Sequence, residues 1–282
     1  VTAAGADLVS RQPSMRIIVL GSGTSHGVPS IGCDCAVCRS SDPRDRRTRP
    51  SILIDLAGDP RPDTRSGLVR SILVDTSPDL RAQALACDVR RVDAILFTHT
   101  HADHIFGLDD VRRYNQMQKG AIACYADAPA VGELRRIFSY VFEPPVQKGG
   151  GLPQLALFRI AGPFTLGGAE IVPVPLLHGV MPVLGFRIGA FAYLTDCSRI
   201  PDASWPLLMD QGGVRTVIID ALRHRPHSTH FSVSEALDVV QRLGAERAYF
   251  THICHDLPHA ETCAHLPRGV ELAYDGLVLE IA

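Results

Sequence analysis

The sequence lacks net charge, a long apolar run, an internal repeat and, almost entirely, lysine. Its 282 residues carry 28 basic against 30 acidic side chains. That balance excludes a global field for gripping a polyanion. No apolar stretch approaches the ~18 residues of a membrane span. The opening residues, VTAAGADLVSRQPSM, hold no apolar core of the kind a secretory signal needs. The expectation is a cytoplasmic protein with reduced thiols. No repeat, low-complexity tract or linker divides the chain, so solenoids and disordered arrays are excluded. One domain over residues 15–282 is expected. Residues 1–14 read as an upstream extension or a frayed tail, because Met15 stands directly before the first strand-like run. Lys119 and Lys148 are the two lysines, a bias that base composition alone can produce.

What is present is an ordinary globular composition, 46% hydrophobic and 21% charged, with eight cysteines and twelve histidines. Short apolar, β-branched runs recur at Ile17–Leu20, Ile52–Ile54, Ile72–Val74, Ala94–Phe97, Ile171–Leu177, Tyr193–Leu194, Val217–Ile219 and Ala248–Phe250. Their length and continuity predict strands covered on both faces. Helical periodicity lies between some of them. In Ser232–Leu243, Ser232 and Glu235 form a capping-box pattern, Phe231 staples the entry, and Val233, Ala236, Leu237 and Val240 share a face. Gly107–Gln118 and Ala130–Tyr140 are further helix candidates. Gly58–Gly67 and Lys148–Gly151 are loops. The fold class is α/β, with helices covering sheet faces.

One segment dominates the chemistry: Ala94-Ile-Leu-Phe-Thr-His99-Thr-His101-Ala-Asp103-His104. A strand ends and four ligand-type side chains follow within six residues. His99 and His101 alternate across one residue, so an extended backbone points both rings the same way. Asp103 and His104 are adjacent and point apart, so the turn can serve two metals. Imidazole and carboxylate together suit Zn, Mn, Fe or Ni. Three further strand-like runs end in a ligand: Ile171–Leu177 in His178, Tyr193-Leu-Thr in Asp196, and Arg247-Ala-Tyr-Phe-Thr in His252. Ligands bind beyond the carboxyl ends of strands in α/β sheets, so these residues can converge. Singly, each has a bland alternative, a loop histidine or a helix-capping Asp.

The order HxHxDH…H…D…H resembles the metallo-β-lactamase superfamily of binuclear hydrolases, from Met15 to the C-terminus. The resemblance implies a single-domain αββα sandwich. It implies that His99, His101 and His178 hold one divalent metal, that Asp103, His104 and His252 hold the second, and that Asp196 bridges them. Zn or Mn is the implied metal. Asp75, closing Ile72–Val74, matches an acid that steadies ligands in this family, or it simply caps a strand. A hydroxide bridging two metals ~3.5–4 Å apart is the implied nucleophile, with Asp103 ligating and orienting it.

A second cluster is Gly32-Cys33-Asp-Cys35-Ala-Val-Cys38. C-x-C-x-x-C with reduced thiols reads as a thiolate knuckle for tetrahedral zinc, which requires a fourth ligand. His255, three residues after His252, is the first candidate and Cys254 the second. A redox disulfide and unliganded thiols are the competing readings. The run from Gly21 to Cys38, with His252-x-x-His255, resembles the phosphoribosyl 1,2-cyclic phosphate phosphodiesterase branch of the superfamily, which serves phosphonate breakdown. That branch implies one structural zinc on Cys33, Cys35, Cys38 and His255.

The loop Arg223-His224-Arg-Pro-His227-Ser-Thr-His230 precedes the capped helix, whose N-terminus favours anions. The same resemblance gives His230 a role in phosphate binding or leaving-group protonation. His224 and His227 read as solvated or secondary contacts. The Gly21–Gly27 turn lacks both the P-loop and the dinucleotide spacing, although its N–H groups could line the site with His26. The arginines from Arg39 to Arg49 read as a solvated, internally paired face. Asp109, Asp110 and Arg112 read as local helix charges.

The leading expectation is a binuclear-metal phosphodiesterase for a small cyclic or nucleotide-like phosphate ester. The alternatives are a ribonuclease Z-like tRNA 3′-processing nuclease and a non-catalytic coenzyme-biosynthesis accessory protein of the same fold. No membrane partner and no stable nucleic-acid complex are expected, and homodimerisation stays open.

Overall fold

The structure is a computed structural model that describes residues 15–56, 70–143 and 151–281. The 1–14 extension, the Gly58–Gly67 loop and most of Lys148–Gly151 lie outside these residues.

Strands that are apolar on both faces need cover on both sides, and the architecture supplies it. The first sheet is built from β1 (Met15–Gly21), β2 (Ser51–Leu56), β3 (Ser71–Val74), β4 (Ala94–Leu96), β5 (Ile122–Ala126) and β6 (Leu155–Arg159). The second contains β7 (Phe164–Leu166), β8 (Ala169–His178), β9 (Met181–Ile188), β10 (Phe191–Leu194), β11 (Thr216–Asp220), β12 (Arg247–Thr251) and β13 (Val270–Leu272). The chain then returns to the first sheet with β14 (Val278–Ile281), beside β1. The orders are β14-β1-β2-β3-β4-β5-β6 and β13-β12-β11-β10-β9-β8-β7.

The helices are α1 (Leu80–Ala86), α2 (Ala102–Ile105), α3 (Arg112–Gln118), α4 (Ala128–Ile137), α5 (Ser139–Phe142), α6 (Trp205–Met209), α7 (Val233–Leu243) and α8 (His259–His265). Alternate residues along each inner strand face different layers. Ile17, Val19, Ala94 and Leu96 pack between the sheets against Ile188, Phe191, Tyr193 and Ile218. Their neighbours Ile18, Leu20, Ile95 and Phe97 pack outward with Leu80, Leu108 and Leu134. In β11, Ile218 faces inward, while Val217 and Ile219 join Val233, Ala236, Val240 and Leu243 of α7. Three apolar seams therefore separate four layers, which is the expected αββα sandwich. Among the described residues, no helix is long and apolar enough to cross a membrane.

The helix forecasts hold in type and shift in extent. Ser232 caps α7 with a complete capping box. The buried face of α7 uses Val239 and Leu243, while Leu237 is only partly buried. Gly107–Gln118 divides into a 3-10 turn at Leu108–Val111 followed by α3. The forecast Ala130–Tyr140 helix divides near Phe138 into α4 and α5.

One consequence positions the site. β3 and β4 are parallel neighbours, as are β10, β11 and β12. β8 runs with β10, since both are antiparallel to β9. The carboxyl ends of these six strands carry Asp75, Thr98-His99, His178, Asp196, Asp220 and His252.

Candidate metal centre and cysteine knuckle

Three of these strand-end residues adopt a backbone that L side chains rarely take. Asp75, Asp196 and His252 have φ of 62°, 53° and 59°. Left-handed non-glycine residues are costly and persist where the surroundings over-determine them. Each is buried, at the point where an apolar strand must turn its next side chain into the site.

Asp75 is fully buried. It accepts hydrogen bonds from the Thr98 N–H (2.9 Å) and the Thr98 hydroxyl (2.8 Å). Its Oδ2 lies 2.7 Å from Nδ1 of His104. A carboxylate only accepts, so this Nδ1 carries the proton and Nε2 turns into the site. Thr98 gives its hydroxyl proton to Asp75, so it accepts from His99 Nδ1 at 3.0 Å, and the His99 Nε2 lone pair is likewise freed. His178 donates Nδ1–H to the Thr229 carbonyl at 2.7 Å, with the same result. With Nδ1–H so engaged, all three histidines turn Nε2 into the site, the nitrogen that can ligate a metal once it carries no proton.

Those atoms meet the carboxylates. One donor atom each of Asp103, His104, Asp196 and His252 lies within 4.8 Å of every other. His104 Nε2 is 3.1 Å from Asp196 Oδ2 and 3.4 Å from Asp103 Oδ2. His252 Nε2 is 3.2 Å from Asp196 Oδ1 and 3.5 Å from Asp103 Oδ2. His99 Nε2 is 3.9 Å from Asp196 Oδ1. The His99 and His101 rings are 4.6 Å apart, and His101 and His178 are 5.2 Å apart. Asp196 therefore faces both halves of the expected set. Nε2 of His99, His104 and His252 is buried without a hydrogen-bond partner. Orphaned buried nitrogens are costly, and their convergence on two carboxylates fits divalent cations.

The electrostatics agree. Burial opposes charge on Asp103 and Asp196, but the His104 imidazole outweighs it and holds both carboxyls well below the usual range. Burial likewise opposes charge on His252, yet Asp196 and Asp103 raise it to about 9. His104 is held well above its ordinary value against burial by Asp196, Asp103 and Asp75. Imidazolium protons thus offset the buried carboxylates, and cations at the same atoms would displace them.

His230 completes the wall. Its ring stacks on His252 at 4.5 Å and lies 4.6 Å from His178. Its Nδ1 sits 2.6 Å from Asp220 Oδ2, and Asp220 also accepts the Cys197 N–H at 2.8 Å. Ser232 accepts the Glu235 N–H, Glu235 accepts the Ser232 N–H, and Val233 N–H goes to the Arg223 carbonyl. The helix start is largely satisfied internally.

The knuckle also assembles. One donor atom from each of Cys33, Cys35, Cys38 and His255 lies within 4.8 Å of the others. His255 Nδ1 is 3.4 Å from both Cys33 Sγ and Cys38 Sγ. Cys254 is elsewhere, its Sγ accepting the Asp256 N–H. The Cys38 N–H donates to Cys35 Sγ and holds that thiol below its ordinary range, while burial pushes Cys38 up to about 11.

Some residues take other places. The Gly21–Gly27 turn lies beside Ile253, but Ser22, Gly23, Thr24 and Gly27 spend their N–H groups on Asp275, Thr48, Ile253 and Thr24, and His26 is exposed. A Cβ on Gly23 would sit 2.7 Å from the Arg47 carbonyl oxygen, which is why glycine stands there. His224 is exposed, whereas His227 is half-buried with its ring 5.3 Å from that of His230. Arg39, Arg44 and Arg49 pair with Asp34, Asp42 and Asp79, as a paired face should.

Arg47 does not belong to that face. It is fully buried, paired with Asp45 at 2.9 Å, and donates to the carbonyls of Cys254 (2.9 Å) and Leu257 (2.6 Å). It clamps the loop that carries His255. Sequence reasoning also passed over Asp220, Thr98 and Thr229. Asp220 had a usable signal, the same apolar run ending in Asp that marks Asp75 and Asp196.

Comparison with known proteins agrees with this geometry. The family described as beta-lactamase superfamily domain matches residues 70–253, well over half the chain. The crystal structure of a new diphosphatase from the PhnP family superposes with a TM-score of 0.84 at 44% identity, over 95% of this chain and 97% of that one. The zinc-bound PqqB structure from Methylobacterium extorquens shares the fold, with a TM-score of 0.71 at 19% identity over 94% of this chain and 99% of that one. A Porphyromonas gingivalis protein named octanoyltransferase is 37% identical over 265 residues, 93% of this chain. The chain spans only about half of that protein's length (51%). With strand-end ligands converging at the rim of an αββα sandwich, the chain belongs to the metallo-β-lactamase superfamily of metal-dependent hydrolases, in its PhnP-like branch.

Proposed function

We propose that the protein is a phosphodiesterase for a small cyclic or nucleotide-like phosphate ester, working with two divalent metals, Zn or Mn. The observation that carries this reading is the Asp220–His230 pair stacked against the buried Asp103–His104–Asp196–His252 cluster. His99, His101 and His178 would hold one cation, Asp103, His104 and His252 the other, and Asp196 would serve both. When bound, the cations supply positive charge to the phosphoryl oxygens and acidify water.

The side chains do the rest. Asp75, Thr98 and the Thr229 carbonyl fix the tautomers and directions of the ligating rings. Asp103, held ionised by its histidine neighbours, can accept a proton from the attacking water. Asp220 holds the Nδ1–H of His230, so the opposite nitrogen faces the cluster. A protonated His230 presents Nε2–H there, able to reach an anionic phosphoryl oxygen or to protonate the leaving oxygen. Such general acids contribute ~10²–10⁴-fold. Cys33, Cys35, Cys38 and His255 would hold one structural zinc, with Arg47 bracing the His255 loop.

The 44% identical diphosphatase supports phosphate esters as the substrate class. Filled ligand positions disfavour the accessory-protein reading. A second reading, hydrolysis of an acyl thioester, draws on the likeness to the octanoyltransferase-named protein. The test is a panel of bis(p-nitrophenyl) phosphate, cyclic nucleotides, cyclic ribose phosphates, a tRNA precursor and an octanoyl thioester, run with Mn²⁺ or Zn²⁺ beside a His101→Ala control. Phosphodiester hydrolysis lost in the control supports the reading. Thioester or tRNA cleavage without phosphodiester hydrolysis replaces it.

A further inference from the structure

Four histidines of the expected ligand set are buried: His99, His104, His178 and His252. The first three have an outside partner at Nδ1, namely Thr98, Asp75 and the Thr229 carbonyl. His252 has none, and both of its ring nitrogens are buried without a hydrogen-bond partner. Its Nε2 faces Asp196 and Asp103 at 3.2 and 3.5 Å, so that nitrogen is the one turned into the site. A cation on Nε2 leaves the ring proton on Nδ1. A buried N–H without an acceptor is costly.

An acceptor stands beside it. Asp220 ends β11 and is fully buried. Its Oδ2 is spent on His230 Nδ1 at 2.6 Å and on the Cys197 N–H at 2.8 Å. Its Oδ1 is buried and has no partner. Asp220, His230 and His252 each place one donor atom within 4.8 Å of the other two. The two imidazoles stack at 4.5 Å, 18° from parallel, so both rings lie against the same carboxyl group. Against burial, Asp196, Asp103 and Asp220 together favour a proton on His252. The Thr251 hydroxyl is a rival acceptor, also buried without a partner and opposite Asp220 in the β11–β12 pairing. Hydrogen bonds to a charged acceptor are the stronger kind, and Asp75 already plays that part for His104 in the other sheet.

We propose that Asp220 is a positioning residue for the metal ligand His252 as well as for His230, its Oδ1 accepting Nδ1–H of His252 in the metal-loaded protein. One carboxylate then orients both the ring that ligates and the ring that faces the leaving oxygen. The assignment rests on the metal centre proposed above and adds the anchor of its one unsupported buried histidine.

The experiment measures zinc affinity of the histidine–aspartate cluster by chelator competition, with matched thermal melts. It uses the full chain as wild type, Asp220→Asn, His230→Ala, the double variant and Thr251→Val. In Asp220→Asn, the Cys197 N–H keeps the remaining oxygen at the Oδ2 position, so an NH2 that cannot accept faces His252. Zinc at this cluster is expected to bind about 10–100-fold more weakly, with the knuckle zinc unchanged. The same loss is expected when Asp220→Asn is made on the His230→Ala background, whereas His230→Ala and Thr251→Val alone should bind zinc near the wild-type affinity. Long-range 1H–15N correlations of zinc-loaded wild type, which need no variant, should show His252 protonated on Nδ1. Unchanged affinity in Asp220→Asn, a loss that vanishes on the His230→Ala background, a loss in Thr251→Val in its place, or a His252 proton on Nε2 overturns the role of Asp220 and leaves the metal centre standing. Absence of zinc from the cluster in wild type overturns that centre, and this assignment with it.

Discussion

The two clusters of metal-ligand side chains are built in opposite ways. The histidine–aspartate cluster is buried apart from the exposed His101 and draws on six strand ends from both sheets. Its ligands are held by protein partners outside it: Asp75 on His104, Thr98 on His99, Thr229 on His178. The cysteine cluster is half-exposed and draws three ligands from one loop and one from another. Its four side chains mainly face one another, with the Ser30 and Cys38 N–H groups as outside support. The first arrangement preorganises a site that must hold geometry during a reaction. The second has few outside partners, so its shape would depend on a bound ion, as that of a structural zinc site does. Arg47 is where the two meet, since it clamps the residues between His252 and α8.

This contrast predicts a graded series. The largest effect is expected for Asp196→Ala, which removes the carboxylate facing both halves of the cluster. Phosphodiester turnover should fall to background and the catalytic metals should be lost from elemental analysis, while knuckle zinc stays bound. Simultaneous loss of all metal would mean that the clusters are not separable. Next is Arg47→Ala. Removing one partner of a buried ion pair costs about 3–5 kcal/mol, so a large drop in Tm should come with easier zinc loss from the knuckle. A Tm near wild type would show that the clamp is dispensable.

Asp75→Asn should be milder. An outer partner of a ligating histidine is worth ~10–100-fold in metal affinity or activity. Metal titrations should show that weakening at the catalytic centre and none at the cysteines. The smallest effect on turnover is expected for Cys35→Ser, which should remove one zinc equivalent, lower Tm and reduce turnover only partly. Unchanged zinc content would remove Cys35 from the knuckle.

The order of legibility follows the same physics. Strands with two covered faces announce themselves as continuous apolar runs: seven of the eight such runs fall within observed strands, and the eighth, Ala94–Phe97, overruns β4 by one residue. β9 escaped because Pro182, Gly185 and Arg187 interrupt its apolar pattern, and β6 because it is half-exposed. The HxHxDH segment and the cysteine spacing are local, so they could be read directly. Arg47 could not. Its carbonyl partners lie 207 and 210 positions away, and in the sequence it stands among arginines that are paired at the surface. Thr229 was equally hidden, since its effect comes from backbone atoms whose direction no residue type encodes.

The most direct test of this division is metal counting by native mass spectrometry alongside turnover of bis(p-nitrophenyl) phosphate, on the same samples of wild type and His101→Ala. The account predicts three metals and hydrolysis in the wild type, and a retained knuckle zinc without hydrolysis in the variant. Wild-type turnover in the variant, or a wild type that hydrolyses the ester with the knuckle zinc alone, would contradict it.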